Sequence, residues 1–110
     1  MAEGFDRSPA PQPVRLIDFD EAQVVPGTVP ETFILVVSGT KPYLTMDVSL
    51  VPLTYIRQPE FWGVEVAGTL KGVGLPATAP YTVTLPLDGV LGTEGIEVIG
   101  ASRRQAVKVP

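Results

Sequence analysis

Few side chains in this sequence can do chemistry, and they fall in three places. The first is "DFDEAQ", where Asp18, Asp20 and Glu21 bring carboxylates together. Such groups bind Ca²⁺ when roughly six to eight oxygens converge, or move protons when two are held close. The second is "YIRQPEFWG", residues Tyr55–Gly63, which contains the only tryptophan, Trp62, with Tyr55, Phe61 and Arg57. Aromatics around one arginine make interface hot spots and also sugar-stacking platforms. The third is "SRRQ", where Arg103 and Arg104 are adjacent and could hold a phosphate or an acidic partner.

Each has a plainer reading. The carboxylate spacing lacks the central glycine and the closing glutamate of an EF-hand loop, so a solvated loop at a strand end is expected there. Asp18, Asp20 and Glu21 remain the metal candidates, and no metal or cofactor is expected. Arg103 and Arg104 fit a solvated turn. Trp62 shares its alternation with Val64, Val66 and Leu70, which points it into a core, while Phe61 falls on the opposite face. "KGVGLP" is glycine-rich but runs into a proline and another strand rather than a helix, so it is not a phosphate loop. The interaction candidates are therefore Tyr55, Arg57, Phe61, Arg103 and Arg104.

What is missing narrows the chemistry further. The chain has no histidine and no cysteine, so Ser-His-Asp and Cys-His catalysis and thiolate or imidazole metal sites cannot be built from it. Nothing marks any two of its 12 acids as a catalytic pair, and no enzyme is expected. A net charge of −4 argues against nucleic acid, which requires a basic face. The longest apolar run is only Phe33 to Val37, far short of a membrane span, and no apolar leader opens the chain. A cytoplasmic protein is expected, with secretion as the alternative.

The elements that must position these residues read as strands. Across 110 residues, 12 prolines and 11 glycines punctuate the chain, and no stretch holds a helical period over three turns. Residues 1–13 are polar with prolines at 9, 11 and 13, as in a flexible tail. From residue 14 onward one domain is expected, with strands in "VRLIDF", "TFILVV", "YLTMDVSLV", "FWGVEVAGTL", "YTVTLPL", "GIEVIGA" and "AVKVP". About seven short strands separated by Pro-Gly, Ser-Gly, Lys-Gly and Asp-Gly turns predict an all-β fold: a two-sheet antiparallel β-sandwich, immunoglobulin-like. A small β-barrel is the alternative.

The chain also resembles itself at an offset of 50. Val25–Gly39 lies over Leu75–Gly89 with six identities in fifteen positions, against roughly one from average residue usage. Two pseudo-repeat halves are the corresponding expectation, and they would make Arg15 and Glu65 cross-strand partners. The prolines at 52, 59, 76, 80 and 86 fit devices that keep strand edges from pairing onward, and "AVKVP", with Lys108 and a final proline, fits a blunted edge. The function expected is a non-enzymatic protein-interaction or accessory domain, binding a protein partner or a second copy through the Tyr55–Phe61 loop or an open edge. The alternative is a small-ligand or carbohydrate-binding module that uses the loop aromatics.

Overall fold

The computed structural model describes residues 14–70, 72 and 74–110. The expected tail, residues 1–13, lies outside the described residues. Among those described there are eight strands and no helix: β1 (Val14–Leu16), β2 (Glu21–Pro26), β3 (Phe33–Lys41), β4 (Met46–Pro52), β5 (Phe61–Leu70), β6 (Ala79–Pro86), β7 (Gly95–Ile99) and β8 (Arg104–Lys108). They form two packed sheets, open at their edges rather than closed into a barrel.

The larger sheet is built around β5. On one edge, β4 runs antiparallel to it, from Met46 opposite Leu70 to Pro52 opposite Val64. The other edge is shared. β1 covers its upper part, antiparallel, with Val14 opposite Thr69 and Leu16 opposite Ala67. β7 covers its lower part, parallel, with Phe61 opposite Gly95 and Glu65 opposite Ile99. β8 then pairs antiparallel with β7. The smaller sheet has the order β2-β3-β6, antiparallel throughout.

The one parallel pair departs from the all-antiparallel expectation. The chain leaves β5, passes through β6 in the other sheet and returns as β7, and such a crossover restores the original direction. Alternation gives no sign of strand polarity, so the sequence could not show it.

Alternation did place the core. Leu35 and Val37 of β3 face Val64 and Val66 of β5 and Ile96 and Val98 of β7, and all six are fully buried. Ile17, Phe19, Met46, Leu50, Tyr81 and Leu87 complete the buried cluster. β3 was expected to be covered on both faces, yet Ile34 and Val36 on its second face are only half-buried. The small sheet has an outer face of its own. The segments related by the offset of 50 meet in this sheet, where Leu35 of β3 lies opposite Leu85 of β6. Arg15 pairs with Gly68 rather than with Glu65, and its guanidinium sits 5.6 Å from the centre of the Tyr43 ring.

Candidate functional site

Two of the three chemistry-bearing stretches meet. After β1 the chain must cross from the large sheet to the small one, and it does so at Asp18–Asp20, beside the turn joining β7 to β8. Asp18 reaches that turn across 84 residues of sequence: its carboxylate accepts from the Ser102 amide at 2.7 Å and from the Ser102 hydroxyl. These two donors, the hydroxyl first, hold the Asp18 carboxyl below the usual carboxylate range.

Arg103 completes the corner. Its guanidinium donates to the carbonyls of Phe19 (2.9 Å) and Asp20 (3.2 Å) and to the Gln105 side chain (3.0 Å), and it stacks 4.4 Å from the Phe19 ring centre. Gln105 in turn donates to the Ala22 carbonyl at 3.4 Å. From the small sheet, the Tyr81 hydroxyl donates to the Asp18 carbonyl at 2.9 Å. Burial, and then the charges of Asp20 and Asp18, push that phenol up to about 12. Space for the crossing comes from two glycines. A Cβ at Gly39 would meet the Tyr81 hydroxyl at 2.9 Å, and one at Gly100 would meet the Asp18 carboxylate at 2.8 Å.

This is a bracket, and it engages the backbone where a strand changes sheets. Crossing chain leaves carbonyls without ladder partners. The hydrogen bonds to those of Asp18, Phe19 and Ala22 are part-buried and the one to Asp20 is exposed, and carbonyls shielded from water need donors. Arg103, Gln105 and Tyr81 supply them. Among the described residues no group of three or more acidic side chains is arranged to hold a metal ion. Arg104 turns away from the bracket and forms an exposed pair with Glu97 at 3.7 Å. Glu21 opens β2 in an exposed position.

The aromatic stretch forms a second bracket. Leu53 continues the pairing of β4 past its end, donating to the Gly63 carbonyl at 2.9 Å. The Trp62 indole N–H donates to the Leu53 carbonyl at 2.8 Å, and the Gly63 amide donates to the Tyr55 hydroxyl at 3.1 Å. The rings of Tyr55 and Trp62 meet edge to face, with centroids 5.1 Å apart. Gly63 is required here, since a Cβ would meet Leu53 at 2.8 Å and the Tyr55 hydroxyl at 2.9 Å. Trp62 packs against the core as alternation predicts, and Phe61 is half-buried at the start of β5, opposite Gly95.

The far side of the loop is held too. Gln58 donates to the Leu91 carbonyl at 2.6 Å, and Thr93 and Glu94 donate to the carbonyls of Pro59 and Glu60, both at 2.9 Å. The Glu60 and Glu94 carboxyls share a hydrogen bond and repel one another's charge, which pushes Glu60 up. Between these two sets of contacts stand Ile56 and Arg57. Ile56 is 102% exposed, and Arg57 is exposed with no partner among the described residues.

Reading the sequence singled out Arg57 but passed over Ile56, Ser102, Gln105 and Tyr81. Ile56 carried a signal, as a lone aliphatic residue among polar neighbours ahead of a proline. The other three act on residues at least 63 positions away, which no local pattern reveals. Comparison with protein-family models, with curated proteins and with solved structures returned no match for this chain.

Proposed function

We propose that this immunoglobulin-like sandwich is a non-enzymatic interaction domain that docks on a protein partner through the loop between β4 and β5. One observation carries the reading: a fully exposed isoleucine stands on a loop fastened on both sides. An aliphatic side chain in water loses about 1.5–3 kcal/mol relative to burial, so a socket on a partner would recover it. Because the loop is already held, little conformational entropy is lost on docking. Arg57 adds a free guanidinium beside the anchor, a residue type enriched at interface hot spots.

The ligand-binding alternative draws less support. The Tyr55 and Trp62 rings are engaged with each other and with the backbone, so little of them is left for stacking a sugar. The hollow lined by Arg15, Tyr43, Met46, Gly68 and Leu70 holds only about 130 Å³, and the larger one of about 380 Å³ beside Ser102, Arg103 and Arg104 is not lined by the loop aromatics.

The test places a photo-crosslinking residue by Ile56→p-benzoylphenylalanine, with Ser49→p-benzoylphenylalanine on β4 as control, and irradiates each in extracts of the source cells. The expected result is one discrete adduct from position 56, absent from position 49 and lost when Arg57→Ala is added. No adduct from position 56, or the same adducts from both positions, would overturn the reading.

A further inference from the structure

A sandwich with open sheets must deal with its edges, and the register of each ladder fixes which backbone groups an edge strand turns outward. In an antiparallel pair, alternate residues bond to the neighbour and the others point their N–H and C=O away. On β4, Leu53 bonds inward to Gly63, so Met46, Val48, Leu50 and Pro52 point outward. Lys41 donates to the Met46 carbonyl at 2.8 Å and Pro52 has no N–H, which leaves only Val48 and Leu50 with both groups free.

The other edges are obstructed in comparable ways. On β6, Leu87 bonds inward to Phe33, so Pro80, Thr82, Thr84 and Pro86 point outward, and two of these four lack a donor. On β2, Gly27 bonds inward to Thr32, so Ala22, Val24 and Pro26 point outward. The Ala22 carbonyl is taken by Gln105 and Pro26 lacks a donor. β1 offers only Val14 and Leu16, since Ile17 bonds inward to Val66.

The strand β8 differs. Gly100 donates to the Arg103 carbonyl and Val109 to the Glu94 carbonyl, which fixes the parity of the ladder. Arg104, Ala106 and Lys108 therefore turn both N–H and C=O outward, and none of the three backbone pairs has a partner among the described residues. Proline enters this edge only at Pro110. The C-terminal strand, expected to be the blunted edge, is the longest open one. Arg104, Ala106 and Lys108 also have exposed side chains, while Gln105 and Val107, on the opposite face, are half-buried.

We infer that β8 is a docking edge for an extended acidic segment of another protein, which adds to the large sheet as a further strand. The occupant follows from charge. A strand placed against all three outward residues meets Arg104 and Lys108 on one face with Ala106 between them. Acidic residues four apart, with a small or medium residue midway, complement that row. A second copy fits poorly, because two β8 strands paired antiparallel about Ala106 set Arg104 of each opposite Lys108 of the other. Glu97 and Glu94 contact Arg104 and Lys108 at 3.7 and 3.9 Å, but the two basic side chains stay 65% and 76% exposed and free to exchange partners. This edge is separate from the Ile56 loop, and neither proposal depends on the other.

The experiment uses the full chain and the capped peptide TEVAVET, with TKVAVKT as the charge-reversed control, followed by amide NMR and hydrogen exchange at low salt. TEVAVET is expected to shift the amides of Arg104, Ala106 and Lys108 and slow their exchange, and to bind at least about tenfold more tightly than TKVAVKT. Ala106→Pro removes an outward donor without touching the ladder to β7 and should abolish binding. The double variant Arg104→Glu, Lys108→Glu should reverse the preference between the two peptides. The inference is overturned if those amides do not respond at saturating TEVAVET, or if either variant binds like the wild type. Protection already present in the free protein overturns it too: if independent of concentration, the chain covers its own edge, and if rising with concentration, a second copy does.

Discussion

The bracket at Asp18 and Arg103 and the bracket at Tyr55 and Trp62 use the same kinds of residue with opposite results. Each has an arginine, an aromatic ring and a tyrosine hydroxyl bonded to the backbone. At the first, the arginine is consumed: both of its terminal nitrogens donate, and its face lies on Phe19. At the second, the tyrosine and tryptophan do the fastening, and Arg57 is left in solvent beside Ile56. The difference lies in the backbone. A chain changing sheets strands carbonyls that need donors, whereas a loop returning beside its own strand satisfies most of them itself. Residue type marks where a protein invests polar groups; the unmet backbone decides whether they are spent on the fold.

Removing one member of each bracket tests this contrast. Arg103→Ala strips donors from two carbonyls at the crossing and a cation from the Phe19 ring, and should cost about 2–3 kcal/mol in chemical denaturation. A cost below about 0.5 kcal/mol would show that water replaces the guanidinium and that the corner needs no bracket. Gly63→Ala should cost less, about 1–2 kcal/mol, because the crowding falls on the tip of Leu53 and on the Tyr55 hydroxyl, both of which can shift. It should also loosen the loop, read as faster amide exchange at Ile56 and Arg57. Arg57→Ala and Ile56→Ser, which break no contact, should change stability by no more than about 0.5 kcal/mol.

The two regions also separate with pH, and in opposite senses. Asp18 has a depressed pKa in the fold, so its contribution is present above the ordinary carboxyl range and is lost as pH falls through the depressed value. Glu60 has a raised one, so its contribution is full below the ordinary range and is lost as pH rises through the raised value. Melting temperatures across the acid range should show Ser102→Ala below wild type at neutral pH, the gap closing in acid. Glu60→Gln should lie above wild type at neutral pH, and that gap should also close in acid. Gaps of the same sign would dissolve the distinction.

Much of the fold was legible because alternation states which face of a strand is dry. The cores of β3, β5 and β7 follow from "TFILVV", "FWGVEVAGTL" and "GIEVIGA" alone. The strand β2 was not foreseen: "EAQVVP" is an edge strand with half its residues exposed, so it read as the continuation of an acidic loop. The site was less legible. Its aromatics and arginines were found by type, but pairing Asp18 with Ser102 depends on β1 and β7 ending side by side, a tertiary event with no local trace. Ile56 stood out only as a lone aliphatic residue among polar neighbours, a pattern that fits an inward-turned loop residue as well; its full exposure follows from how the loop is fastened.

The shared edge of β5 has a mechanical consequence. Val14 sits at the level of Thr69 and Lys108, through Gly95, at the level of Phe61, so the chain enters the large sheet at one end and leaves it at the other. Eight residues of strand separate these levels, about 26 Å. Tension between residues 14 and 108 therefore runs along the strands and loads the hydrogen bonds of β1 against β5 in shear, together, rather than peeling them one by one. Held in line between two anchors, the sandwich would resist extension through the strand that the sequence makes shortest.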